Sequence, residues 1–167
     1  MNAIKCVLLS VGCAVMFSGC STSQDKWQKK RPPLVKVVGI VTFNGEPLSK
    51  ATVALHPLGG NYAAFGQSGS NGRFTLETFE PGDGAVAGNY AVTVTKAKLE
   101  YEPDPVNPDT KPPLYQSEQS MIPDTYSVVA TSGLTATIPS TGNADINLSL
   151  TGQPGELKII ADRRNNR

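Results

Sequence analysis

The residues able to carry chemistry in this chain are few, and their placement restricts them. His56 is the only histidine, at the outer face of a strand end just before Pro57. A general base needs a nucleophile and an orienting acid nearby. Ser49, Ser68 and Ser70 offer hydroxyls, but no spacing singles one out. A zinc site needs three or four His, Cys or carboxylate ligands, and a lone histidine does not supply them. Acidic residues gather at Glu100, Glu102, Asp104 and Asp109, yet prolines separate them and no D-x-D-x-D-G calcium spacing appears. The turn Ser68-Gly-Ser-Asn-Gly72 has the shape of a calcium loop without its carboxylates. No carboxylate pair stands out for glycoside hydrolysis, and neither a P-loop nor G-x-G-x-x-G is present. The expectation is a protein without catalytic residues, cofactor or metal.

The cysteines point elsewhere. Cys6, Cys13 and Cys20 all lie in the first twenty residues, and none follows. Lys5 provides a small positive start, and residues 6–17 are apolar and uncharged. That run matches a secretory core and is too short to span a bilayer. Its end, Phe17-Ser-Gly-Cys20, resembles a bacterial lipobox, with Phe17 where leucine is usual. The resemblance implies a signal-peptide helix over 1–19, cleavage before Cys20 and lipidation of Cys20, with 20–34 as anchor and flexible tether. Ser21 after the cysteine implies the outer membrane, facing the periplasm or the cell surface. Such a mature chain keeps one thiol, so a disulfide within it is excluded. More than one acyl chain makes the attachment persistent.

Loss of Lys5 with the signal leaves basic and acidic residues equal in number. A neutral chain has no electrostatic drive toward nucleic acid. Lys26, Lys29, Lys30 and Arg31 cluster beside Trp27. They fit a solvated tether, or an interfacial Trp27 with the basic group on anionic head groups.

From Leu34 onward the hydrophobic period is two. Val35, Val37, Val41 and Phe43 share a face, with Gly39 between them. Ala51, Val53 and Leu55 alternate with Thr52, Ala54 and His56. Phe74 and Leu76, then Tyr90, Val92 and Val94, then Leu134, Ala136 and Ile138, then Ile146, Leu148 and Leu150 repeat the pattern. Each reads as a half-buried strand, with a weaker one over 63–67. Asn44-Gly45 and Asn71-Gly72 read as type I′ hairpin turns. Pro47 lacks a donor for a central ladder, so a loop is expected over 44–50 with the next strand from Ala51. Pro81-Gly-Asp-Gly84 marks a further turn.

Short strands separated by turns predict an all-β fold, an antiparallel two-sheet β-sandwich over 35–151. Thirteen prolines and sixteen glycines fit a loop-rich β domain. Residues 101–126 carry six prolines and no strand pattern, and read as a long proline-rich insert. Residues 152–167 read as a C-terminal tail with at most one strand over 157–161 and a fraying end.

The order of these pieces resembles the transthyretin-like (prealbumin-like), carboxypeptidase regulatory-like family. Its recurring pieces match Gly39-Ile-Val41, Gly45-Glu-Pro-Leu48, Ala51-Thr-Val53, Asn71-Gly-Arg-Phe74 and Gly88-Asn-Tyr-Ala-Val-Thr-Val94. Ile122-Pro-Asp-Thr-Tyr126 and Ser132-Gly-Leu-Thr135 resemble the later half of short bacterial lipoproteins with this domain. Asn71 replaces the usual aspartate, and the insert is longer than the plain domain needs. The resemblance implies about seven strands and no catalysis. Related surface domains sometimes form a Lys–Asn isopeptide bond, for which Lys36, Asn147 and Glu77 are the candidates here. Such a bond needs a dry setting, whereas the alternation puts all three on polar faces.

The loop tyrosines Tyr62, Tyr101 and Tyr115 either pin their own loops or contact a partner, and Tyr101 and Tyr115 in the insert are the expected partner contacts. The reading is a lipoprotein domain for interaction or structural support at the cell envelope. It is bound to the membrane through its lipid, and its partner is an envelope protein or a polysaccharide. A carbohydrate-binding module and a secreted hydrolase are the alternatives.

Overall fold

The computed structural model describes residues 30–164. The strands in chain order are β1 (Leu34–Phe43), β2 (Glu46–Pro47), β3 (Thr52–Pro57), β4 (Ala64–Gln67), β5 (Arg73–Thr75) and β6 (Ala85–Val86). They continue with β7 (Gly88–Thr95), β8 (Ala97–Glu102), β9 (Tyr115–Ser120), β10 (Leu134–Ile138), β11 (Asn143–Leu150) and β12 (Leu157–Asp162). A 3-10 turn, Asp124–Ser127, and one helical turn, α1 (Val129–Ser132), fill the connection from β9 to β10.

The first sheet is built around β1. β11 lies along one edge, and β6, β5 and β2 share the other along its length. The second sheet runs β10-β7-β3-β4. The inward rows of both form one core. Val35, Val37 and Val41 of β1 and Ala144, Ile146, Leu148 and Leu150 of β11 meet Val53 and Leu55 of β3 and Tyr90, Val92 and Val94 of β7. The fold is therefore a β-sandwich, as period-two alternation on both layers requires. A β-bridge between Phe65 and Glu77 stitches the two layers along one side, with backbone hydrogen bonds of 3.0 and 2.8 Å. The paired strands are antiparallel with one exception. β1 and β11 run parallel, from Lys36 opposite Asn143 to Phe43 opposite Leu150.

Asn44 and Gly45 both have positive φ, 52° and 89°, as a type I′ turn demands. Pro47 sits in the two-residue edge strand β2, where its missing donor costs nothing. The second Asn-Gly pair differs from expectation. Only Gly72 has positive φ, 75°. Gly72 N–H donates to Gly69 C=O at 3.0 Å, and Asn71 Oδ1 accepts from Arg73 N–H at 3.1 Å. Asn71 thus serves as a side-chain acceptor inside a longer turn, closed by Gly69 N–H donating to Arg73 C=O at 2.8 Å, leaving the left-handed position to glycine.

The Pro81–Gly84 turn is held by a carboxylate. Asp83 Oδ1 accepts from Thr78 N–H at 2.7 Å, and Oδ2 accepts from Phe79 and Glu80 N–H at 3.0 and 2.9 Å. Partial burial pushes this carboxyl up, and the backbone donors outweigh it, so its pKa lies below the usual 3.8. A depressed carboxylate stabilises the fold above its unfolded pKa, and the contribution is lost as pH falls through the folded value. Asp83→Ala should cost about 2 kcal/mol at neutral pH. The gap to the unaltered protein should begin to narrow once pH falls below 3.8 and shrink further as pH passes through the lower folded value. Urea unfolding across pH checks both, and a gap independent of pH would reject the carboxylate's role.

A third sheet, β12-β9-β8, contributes none of its strand residues to the core. It corrects the picture of a structureless insert. β9 lies inside residues 101–126 and pairs with β8 on one side and with the C-terminal β12 on the other. Tyr115-Gln-Ser-Glu-Gln-Ser120 shows no apolar alternation, because its one buried side chain is the polar Ser117 and none of its residues joins the apolar core. Apolar alternation reports a strand that buries an apolar row, and β9 buries none. The tail beyond residue 151 supplies β12, one residue longer than expected. Arg163 N–H is tied to Leu114 C=O at 2.7 Å, and residues 165–167 lie outside the described range.

Candidate interaction surface

The third sheet places the insert tyrosines on adjacent strands. Tyr101 stands opposite Gln116, and Glu102 opposite Tyr115. Alternation therefore puts Tyr101 and Tyr115 on opposite faces. One face carries Leu99, Tyr101, Gln116, Glu118, Lys158 and Ala161. The other carries Lys98, Glu100, Tyr115, Ser117, Leu157 and Ile159. The two tyrosines consequently do not form one platform.

Their surroundings differ too. Tyr101 is 60% exposed, beside Leu99 at 68%. Tyr115 is half-buried, and the Arg164 guanidinium sits 3.8 Å from its ring centroid. Arg164 is oriented by Asp162, with hydrogen bonds of 3.0 and 2.7 Å. The Arg164 hydrogen bond lowers the Asp162 pKa, and Asp162 raises that of Arg164. Tyr115 is thus pinned by its own C-terminal segment, while Tyr101 remains presented to solvent. On the opposite face to Tyr101, Lys98 Nζ lies 2.7 Å from Glu100. The hydrogen bond raises the lysine pKa and lowers the glutamate pKa. Leu157, Ile159 and Ile160 are each more than half exposed, an unusual load for a small sheet.

The structure accounts for the other candidate groups. Tyr62 packs edge-on against Phe79 at 5.4 Å, which pins its loop. His56 Nε2 lies 2.9 Å from Thr93 Oγ1. Ser68 is buried, donates to Leu48 C=O at 2.6 Å and accepts from Ala51 N–H at 2.9 Å, so its hydroxyl clamps a loop. Asp104 accepts from Val106 and Asn107 N–H, both at 3.0 Å. Lys36 Nζ donates to Gly82 C=O at 2.6 Å. Lys36 pairs with Asn143, and Asn147 with Ile40, so the lysine and Asn147 sit about 13 Å apart along the ladder. The geometry is incompatible with an isopeptide bond between them. Among the described residues, no group of three or more His, Cys, Asp or Glu is placed to hold a metal. Cys20 lies outside the described residues.

One surface escaped the sequence reading. Where Phe65 of β4 bridges Glu77, an open groove of about 720 Å³ is lined by Val38, Thr52, Phe65, Gln67, Arg73 and Glu77, among others. Phe65 is 49% exposed there. The 63–67 strand signal was weak, and nothing in the local sequence distinguishes an outward phenylalanine from a core one.

No family model matches the chain, and no curated protein matches it. Among solved structures it is similar to a 9R-lipoxygenase from Cyanothece PCC8801, at 18% identity and a TM-score of 0.36, over 74% of this chain and 17% of that one. It is also similar to a DUF3823 family protein from Parabacteroides merdae, at 17% identity and a TM-score of 0.35, over 72% of this chain and 47% of that one. The chain thus spans less than half the length of either. Neither likeness is close enough to carry an activity across.

Proposed function

We propose that this is a lipid-anchored, non-enzymatic domain of the transthyretin-like, carboxypeptidase regulatory-like kind. It serves interaction or structural support at the cell envelope, with its third sheet as the contact surface. The observation that carries the reading is that sheet, which stands outside the core and presents Leu99, Tyr101, Leu157 and Ile159 to solvent. Leu99 and Tyr101 are exposed on one face and Leu157 and Ile159 on the other, and exposed apolar side chains grouped in this way mark contact surfaces. The family part of the reading is supported by where the resembling motifs fall. Gly45-Glu-Pro-Leu48 makes the β1–β2 turn, Asn71-Gly-Arg-Phe74 enters β5, and Gly88-Asn-Tyr-Ala-Val-Thr-Val94 forms most of β7. The anchoring part rests on Phe17-Ser-Gly-Cys20 alone.

A photo-cross-linking residue at position 101, used in intact envelopes, tests the interaction reading. The expected result is a discrete adduct from 101 and none from the same probe at His56. The Phe65 groove favours a second reading, a polysaccharide site, since an exposed aromatic ring flanked by Gln67, Thr52 and Arg73 suits a sugar face. No adduct from 101, together with glycan binding abolished by Phe65→Ala, would transfer the role to the groove.

A further inference from the structure

The third sheet ends at β8, which has no strand along its outer edge among the described residues. All six of its residues are exposed. Met121 N–H donates to Lys96 C=O at 2.8 Å, and these residues are opposite one another in the register that pairs Ala97 with Ser120. Hydrogen-bonded pairs alternate along an antiparallel ladder. Lys96, Lys98, Glu100 and Glu102 therefore turn their backbone groups toward β9, and Ala97, Leu99 and Tyr101 turn theirs outward. No proline and no bulge interrupts this edge, so two common safeguards against strand addition are absent.

We propose that β8 pairs antiparallel with β8 of a second copy, centred on Leu99. This rests on the reading of the third sheet as an interaction surface, and it names the partner. A two-fold antiparallel pair must centre on one residue, and the charges choose which. Centring on Lys98 or Glu100 sets like charges face to face. Centring on Tyr101 sets Glu100 against Glu102, and centring on Ala97 sets Lys96 against Lys98. Centring on Leu99 sets Lys98 against Glu100 twice, stacks Leu99 on Leu99 and brings Ala97 beside Tyr101. Opposite charges across a strand pair stabilise it and like charges oppose it. The same register makes Leu99 a hydrogen-bonded pair with its copy, as its outward N–H and C=O require. It also covers Leu99 and Tyr101, the two most exposed apolar side chains of β8, at 68% and 60%. The product is one continuous sheet with a closed, isologous interface.

A single strand pair is small beside a standard interface of about 1,600 Å², so association is weak. The full chain in detergent micelles at about 100 µM suits a weak dimer. In an antiparallel hydrogen-bonded pair the Cα atoms lie about 5.5 Å apart, within disulfide reach. Leu99→Cys should therefore give a covalent dimer mapped to position 99 on mild oxidation. Val106→Cys, 77% exposed in the adjoining loop, should not. Lys98→Glu and Glu100→Lys should each weaken the dimer by about tenfold, read by light scattering. Mixing the two variants should restore it, because each altered charge then meets its opposite on the other chain. An ion pair within one chain cannot produce that restoration. Cross-linking at 99 no greater than at 106, or a mixture that stays monomeric, overturns the dimer. A cross-link from 99 to a different envelope protein overturns the dimer and leaves the interaction reading standing. Monomers with no adduct from 99 or 101 overturn both.

Discussion

Gly39→Ala is expected to destabilise the sandwich by about 3 kcal/mol. Gly39 sits mid-way along β1, between β5 and β11, opposite Phe74 on one side and Ile146 on the other. A Cβ there would run into the Phe74 ring and the carbonyl oxygen of Ile146. The ring can turn only by leaving the core, where Phe74 is 3% exposed. The carbonyl cannot yield without parting β1 from β11, the pair that joins the first and last strands of the sandwich. The glycine is therefore required by close approach. Shortening the ring in Gly39→Ala/Phe74→Leu should recover part of the loss, since the two sites are in contact and their effects do not add. It should not recover all of it, because the backbone collision remains. Urea unfolding of the two single variants and the double variant reads the coupling directly. A Gly39→Ala protein within about 0.5 kcal/mol of the unaltered one would show that β1 and Phe74 are not packed as described.

Cys20→Ala is expected to move nearly all of the protein from the membrane fraction to the soluble fraction. An acyl chain contributes about 0.8 kcal/mol per buried methylene, and more than one chain makes attachment persistent. Without it, the tether offers Trp27 and the cluster Lys26, Lys29, Lys30 and Arg31. Each basic residue adds only about 1 kcal/mol near an anionic surface, and salt screens it. Residual binding should therefore appear at low ionic strength and disappear at physiological salt. Salt-resistant membrane attachment of Cys20→Ala would remove the lipid from the account.

The sandwich was legible in the sequence because its strands are half-buried. Val35, Val37 and Val41, or Tyr90, Val92 and Val94, announce a core-facing row by alternation alone. The third sheet was not, for the same reason read backwards. β9 is Tyr115-Gln-Ser-Glu-Gln-Ser120, whose one buried side chain is the polar Ser117, and its partner β12 arrives from a segment that reads as a tail. Long-range pairing of this kind leaves no local periodicity. The parallel run of β1 beside β11 is likewise invisible to alternation, which reports a face and never a direction. Asn71-Gly72 shows a different limit. The pair marks a turn correctly, but the side-chain acceptor at Arg73 N–H selects a turn with a single positive φ. Of the two tyrosines expected to meet a partner, Tyr101 lies exposed on β8 and Tyr115 is held by Arg164, while the groove at Phe65 gave no signal in the sequence.

The claim on which the rest depends is that this sandwich is displayed at the envelope from a lipid-bearing amino terminus. Intact mass measurement of the protein extracted from membranes tests it most directly. The predicted result is a chain beginning at Cys20 with a mass excess equal to its acyl groups, lost when Cys20 is replaced. A chain recovered free of membranes, still beginning at Met1 and carrying no added mass, would contradict it.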